Sequence, residues 1–317
     1  MFEFLDKAAM KVDDLLLLNH QDIKAYIEKN QSLFKNLVLD FSPSNQTAYG
    51  YNQEHHAIKI SYESDLVKKI VLIKDDIDYQ RFKLTIQYDG HLFKGFQKQK
   101  HERTIQGELS KVINPIALSN ELVQGSSRTD AHVHANLYVC HFDAYVDIDE
   151  KRWLSILNHQ LAKDIKVLSI EKVHPLFHAR YDVIKKTYIY KINTGEFNPF
   201  QYHYQWFVKD LNIQAMKEAI KDIIGHHDFS SFSKDQVDDP IRHIYEADIK
   251  EDGEQITIKI TGNGFHRYMI RLIVDYLVKI GKGANKYSLA QIIQMKSRKH
   301  TTSLAPANGL YLDSIIY

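Results

Sequence analysis

The sequence predicts an α+β protein: a body over residues 81–317 whose pattern admits two similar subdomains of mixed and antiparallel sheet, residues 81–183 and 184–317, behind a small α/β extension over residues 1–80. Three observations predict it. From Arg81 onward, strand patterns of period two and amphipathic helices are interleaved with antiparallel hairpins, whereas a doubly wound parallel sheet would alternate strand and helix strictly. Each half of that stretch offers strands, an amphipathic helix and further strands. The first 80 residues also differ in charge, with 13 acidic against 9 basic residues, while the rest carries 27 against 32.

In the extension, Ile23, Tyr26, Ile27, Phe34, Leu37 and Val38 fall at helical spacing and Ser42-Pro43-Ser44-Asn45-Gln46 breaks the pattern. Strand-like runs follow at 58–62 and 69–74, and Asp75-Asp76-Ile77-Asp78 reads as a linker. Phe82, Leu84, Ile86 and Tyr88 then alternate with Arg81, Lys83, Thr85 and Gln87, a strand with one buried face that Asp89-Gly90 ends as a turn. Behind Thr104, a good N-cap, Ile105, Leu109, Val112, Ile113 and Ile116 form a helical face that Pro115 should kink or end. Residues 134–143 and 186–193 read as strands, and the segment around 153–161 as a helix. Ile213, Met216, Ile220, Ile223 and Ile224 make another helical face, closed by Gly225. Strands at 241–250 and 255–261 pair across Asp252-Gly253. A long helix runs from about Phe265 to Ile280 and stops at Gly281, followed by a short one capped by Ser288 and a last strand from Gly309 to Tyr317.

Composition excludes several classes. Hydrophobic residues make up 44% and charged residues 26%, with 13 Gly and 6 Pro, which is globular and neither collagen-like nor disordered. The longest aliphatic runs, Leu15–Leu18 and Ile70–Ile73, fall far short of the roughly 20 residues that span a bilayer. Acidic residues stand early at the N-terminus with no basic flank, so no secretory signal and a cytoplasmic location are expected. Cys140 is the single cysteine, which leaves no intrachain disulfide and no cysteine-based zinc site; within Tyr138–Phe142 it reads as a small core residue.

The densest polar cluster is Gly125-Ser126-Ser127-Arg128-Thr129-Asp130-Ala131-His132-Val133-His134-Ala135, a loop ahead of a strand. Arg128 beside Asp130 keeps a carboxylate ionised, and an ionised aspartate can serve as nucleophile or base; a solvated loop with a surface ion pair gives the same spacing. Among the 17 histidines, His132, His134, His141 and His226-His227-Asp228 invite a metal, and in an extended loop His132 and His134 would face the same way. No metal is expected, because no H-E-x-x-H or Cys/His spacing accompanies them. Gly262-x-Gly264 and Gly281-Lys282-Gly283 do not fit a phosphate loop.

Arg128-Thr129-Asp130-Ala131-x-Val133-His134-Ala135 closely resembles the signature loop G-R-T-D-A-G-V-H-A of the tRNA pseudouridine synthase A (TruA) family. Further blocks resemble that family in order. They are Tyr88-Asp89-Gly90, Gly95-Phe96-Gln97-x-Gln99, Thr104 to Leu109, Phe177-His178-Ala179-Arg180 and Lys186-Thr187-Tyr188-Ile189-Tyr190. Gly225 to Phe232, Arg242-x-Ile244, Phe265 to Arg271 and Ala305-Pro306-x-x-Gly309-Leu310-x-Leu312 complete the series. The similarity covers residues 81–317, and the extension has no counterpart.

The resemblance implies an RNA-binding cleft between the two subdomains and isomerisation of uridine to pseudouridine in the tRNA anticodon stem-loop, at positions 38–40. It implies Asp130 as the catalytic aspartate, Arg271 as its basic partner and Tyr188 as the tyrosine against the target base. Arg128 would fill the space left by the extruded nucleotide. Gln97, His134, Arg180, Arg242 and Arg267 are further RNA-binding candidates, with Lys98, Lys100, Arg103, Lys185 and Lys186 as possible phosphate contacts. No cofactor is implied; tRNA and a second copy of the chain are the expected partners. Ser127 and His132 stand where the family has glycine, and Phe96 where it has tryptophan. Two side chains in place of glycines could reshape the loop, which leaves a catalytically impaired RNA-binding paralogue as the alternative.

Overall fold

A computed structural model describes the backbone of residues 38–41, 47–51, 57–63 and 66–73, and all of residues 79–317. In the extension, β1 (Val38–Phe41), β2 (Thr47–Tyr51), β3 (Ala57–Glu63) and β4 (Leu66–Ile73) form an antiparallel sheet in chain order. The last two are the expected strands, whereas β1 and β2 were not legible in the pattern. Val38 opens a strand instead of closing a helical face. The rest of that helix, the break at 42–46 and the linker at 75–78 lie outside the described residues.

The body is organised by one mixed sheet of ten strands. In chain order these are β5 (Gln80–Tyr88), β6 (Gln124–Gly125), β7 (His134–Ala144), β8 (Ile165–Val173), β9 (Lys185–Asn193), β10 (Trp206–Phe207), β11 (Gly225–Asp228), β12 (Ile241–Asp252), β13 (Gln255–Gly262) and β14 (Leu310–Ile316). Their order across the sheet is β11-β12-β13-β9-β14-β7-β5-β8, with β6 on β7 and β10 on β9. The C-terminal strand β14 therefore lies between strands from the two halves, antiparallel to β9 and parallel to β7. Only Tyr311 opposite His134 and Leu312 opposite Ala135 form that parallel seam. Since β7 begins at His134, the polar loop ending at Val133 is delivered to the seam.

Helices α1 (Ile105–Ala117), α2 (Glu150–Gln160), α3 (Ile213–Ala219), α4 (Met269–Gly281) and α5 (Leu289–Met295) complete the architecture. Thr104 caps α1 by accepting the Gly107 N–H. Pro115 sits inside the last turn of α1, where its missing N–H costs one bond at most, and the helix ends at Leu118 in the left-handed region. Ser288 and Gln291 close a capping box at α5. Trp153 of α2 is buried against Phe82 and Phe142, with ring centroids 6.0 and 5.1 Å away, and Cys140 is buried in the same core as expected.

Three expectations need correcting. Helix α4 begins at Met269, not Phe265, because Tyr268 takes a left-handed conformation (φ 67°) that no helix propagates through. The face Ile213–Ile224 is not one helix: α3 tightens into a 3₁₀ turn over Ile220–Ile223, and Ile224 emerges extended and 42% exposed before Gly225 (φ 109°). Arg81, an outward position by alternation, is buried; its guanidinium forks onto Asp143 at 2.6 and 2.7 Å and donates to the Phe177 carbonyl at 2.9 Å. Among the described residues, no helix is long and apolar enough to cross a membrane.

Candidate active site

The loop between β6 and β7 is clamped by the loop that follows β5. Phe96 N–H donates to the Thr129 carbonyl at 3.2 Å, His132 N–H to the Phe93 carbonyl at 3.1 Å, and the Tyr88 and Thr129 hydroxyls share a hydrogen bond of 2.8 Å. Gly95 makes the close approach possible: it has φ 96°, and a Cβ there would lie 2.7 Å from the Thr129 oxygen and 3.2 Å from the Asp130 carbonyl carbon. His132 adopts φ 66°, the conformation for which glycine is the natural residue, and its Nδ1 bonds the His91 carbonyl at 2.7 Å.

So held, Asp130 faces the first turn of α4. Arg271 Nη1 stands 3.5 Å from Asp130 Oδ2, while its Nε donates to the Ala305 carbonyl at 2.8 Å, which fixes the guanidinium from the side of β14. The two side chains are 14% and 24% exposed. Burial pushes the Asp130 carboxyl above its ordinary value, and Arg271, Arg267 and Lys234 oppose that without cancelling it. Tyr188, on β9, is buried; its hydroxyl meets Ser127 Oγ at 3.1 Å and its ring meets Phe265 edge-on at 5.3 Å. Burial pushes that hydroxyl up to about 12, so it stays protonated at neutral pH.

These groups line an open cleft of about 710 Å³ at the seam of the sheet. Six basic side chains line it, Lys94, Arg128, Arg180, Lys186, Arg267 and Arg271, against three acidic ones, Glu102, Asp130 and Asp235. Such an excess draws in a polyanion. Arg271, Arg267 and Lys234 surround the Tyr268 ring at 5.3, 5.0 and 5.1 Å from its centroid, so this wall is both cationic and aromatic. Among the described residues, no group of three or more His, Cys, Asp or Glu side chains is placed to hold a metal ion.

Comparison with known proteins supplies the family. A family model described as tRNA pseudouridine synthase matches residues 84–182 and 219–317. The chain belongs to that family. It is 40% identical to tRNA pseudouridine synthase A of Anoxybacillus flavithermus over 243 residues, 75% of this chain and 99% of that protein. It is 40% identical to tRNA pseudouridine synthase A 2 of Bacillus cereus over 240 residues, 74% of this chain and 98% of that one. With tRNA pseudouridine synthase A of Oenococcus oeni the identity is 40% over 250 residues, covering 75% and 98%. Among solved structures, a Cbf5-Nop10-Gar1 complex is similar at 13% identity over 62% of this chain and 45% of that chain, with a TM-score of 0.26.

Of the residues expected at the site of this pseudouridine synthase, Gln97, Arg128, Asp130, Arg180, Tyr188, Arg267 and Arg271 all line the cleft. Two do not. His134 is 2% exposed; its Nδ1 accepts the Gly90 N–H at 3.1 Å, its Nε2 reaches the His203 carbonyl at 2.9 Å, and its ring stacks on Tyr311. It anchors the seam and has no edge left for RNA. It also turns away from His132, which is exposed, because the left-handed residue 132 breaks the extended alternation. Arg242 lies behind the wall, held by Asp239 at 3.0 Å and reaching His266 Nδ1 at 3.5 Å. Ser127, Phe265 and Tyr268 were missed as site residues. The family blocks contain Phe265 and Tyr268, but reading that block as helix hid the turn that aims both rings into the cleft.

Proposed function

We propose that this chain isomerises uridine to pseudouridine in tRNA, acting at positions 38–40 of the anticodon stem-loop with Asp130 as the catalytic carboxylate. The observation that carries the reading is the Asp130–Arg271 pair, half-buried beside Tyr188 in a cation-rich cleft, in a chain of the tRNA pseudouridine synthase family. In the reaction the uracil leaves C1′ at N1, turns, and rejoins C1′ through C5; the C5 proton is lost and N1 gains one. Atoms and redox state balance, so the reading calls for no cofactor.

Asp130 supplies the carboxylate that works at the junction of sugar and base, and Arg271 favours its ionised form against burial. Tyr188 packs against the target base. Arg128, exposed at the rim, fills the gap left in the stem when the uridine is extruded, offsetting part of an unstacking cost of a few kcal/mol. Gln97, Arg180 and Arg267 hold the RNA around it. In this reading residues 81–183 and 184–317 work as two subdomains joined at the β14–β7 seam, in a cytoplasmic homodimer. The impaired-paralogue alternative rested on Ser127 and His132. The His132 ring points to the His91 carbonyl, and the Ser127 hydroxyl bonds the Tyr188 hydroxyl, which favours a working site over a blocked one.

The test is site mapping on unmodified tRNA transcripts that carry uridine at positions 38, 39 or 40. Pseudouridine is expected at those positions, and none in transcripts where they are cytidine. Tight binding without conversion would favour the paralogue, and conversion elsewhere in the tRNA would overturn the site assignment.

A further inference from the structure

Lys186 is unlike the other cations of the cleft. It shares β9 with Tyr188, two residues apart and so on the same face of the strand, and both line the cleft. Its Nζ donates one hydrogen bond, 2.7 Å, to the Ser126 carbonyl, in the loop that carries Asp130. Among the described residues no carboxylate pairs with it. Its strand neighbours Gly262 and Ile315 bring no charge. The charged group that acts on it is another cation, Arg180, and around the same cleft stand Arg128, Asp130, Arg267 and Arg271. Burial and Arg180 push the ammonium down to about 8.

A partly buried ammonium without a carboxylate partner is costly unless negative charge arrives to meet it. We infer that Lys186 is a catalytic residue whose ammonium stabilises the negative charge reaching the carbonyl oxygens of the target uracil. This rests on the proposed synthase activity. Every plausible opening step sends charge to the same place. If the C1′–N1 bond breaks, its electron pair stays with the base and spreads onto O2 and O4. If the Asp130 carboxylate instead adds at C6, the ring electrons move to O4. The ammonium donates a hydrogen bond to that oxygen and keeps its proton throughout; the charge is discharged when C5 bonds to C1′. A backbone phosphate, charged and hydrated from the start, suits the exposed cations Arg180 and Arg267 better than this partly buried amine.

The experiment compares wild type, Lys186→Met and Lys186→Arg on a tRNA transcript. It measures the single-turnover rate at saturating enzyme from about pH 5 to 10, and the Kd for the same RNA. Removing a preorganised donor to developing oxyanion charge typically costs about 100-fold in rate. Lys186→Met is expected to lose about that factor with Kd changed less than threefold. The wild-type rate falls as the amine deprotonates above about pH 8, and Lys186→Arg, slower but always charged, lacks that alkaline limb. The inference is overturned if Lys186→Met matches an active wild type, if the alkaline limb persists in Lys186→Arg, or if the loss lies wholly in Kd, which would place a phosphate on Lys186. An inactive wild type would remove the synthase reading itself, and this inference with it.

Discussion

Replacing Arg271 by methionine removes the cation from Asp130 while keeping an unbranched side chain in the first turn of α4. At 3.5 Å, and with an effective dielectric of about 20, two unit charges attract by about 5 kcal/mol, an upper bound because both side chains keep some solvent. Breaking a buried pair costs about 3–5 kcal/mol, and about 3 suits this partly exposed one. At about 1.4 kcal/mol per factor of ten, the rate at neutral pH should fall on the order of 100-fold. The sign with pH follows from the same pair. Asp130 already sits above its ordinary value through burial, with Arg271 the foremost opposing group; without it the carboxyl protonates at still higher pH. The acid limb of the single-turnover rate therefore moves to higher pH, and the deficit narrows as pH rises. Arg271→Lys should fall between, keeping the charge but losing the fork that joins Asp130 to the Ala305 carbonyl. A deficit equal at every pH, in a variant that melts like wild type, would refute the idea that Arg271 acts through the ionisation of Asp130.

Gly95→Ala puts a Cβ against the backbone of Thr129 and Asp130 in a left-handed conformation, so a loss of about 1–3 kcal/mol in urea unfolding and a slower single turnover are expected. Arg81→Met leaves Asp143 and the Phe177 carbonyl without their buried partner and should cost about 3–5 kcal/mol by the same unfolding measurement. His132→Gly relieves about 1 kcal/mol of left-handed strain but gives up a hydrogen bond of similar worth, so its thermal midpoint stays near wild type; His132→Ala keeps the strain, loses the bond, and melts earlier.

The polar loop that lines the cleft was legible because its signal is local: Arg128, Asp130 and the glycine position held by His132 lie within five residues, and the positive φ at 132 is what a glycine there foretells. The strands around it were legible from alternation, as Phe82 to Tyr88 shows. Long-range partners left no such trace. Arg271 reaches Asp130 across 141 positions of sequence, and Lys186 reaches Ser126 across 60, so neither distance nor burial could be read from spacing. That His134 lies buried away from the cleft was hidden for the same reason: Tyr311, which stacks on it, is brought in by a parallel seam two pairs long. The start of α4 was misplaced because Phe265 continues the apolar helical spacing, while the left-handed turn at Tyr268 has neither Gly nor Asn to announce it.

The most direct measurement compares wild type with Asp130→Asn for pseudouridine formation at positions 38–40 of one unmodified tRNA transcript, at saturating enzyme, with the Kd of each for that RNA. The variant keeps the size and polarity of the side chain and removes its charge. Wild type should convert the uridines while Asp130→Asn binds the RNA comparably and converts essentially none. Conversion by Asp130→Asn at the wild-type rate would contradict the assignment of this carboxylate as the catalytic group.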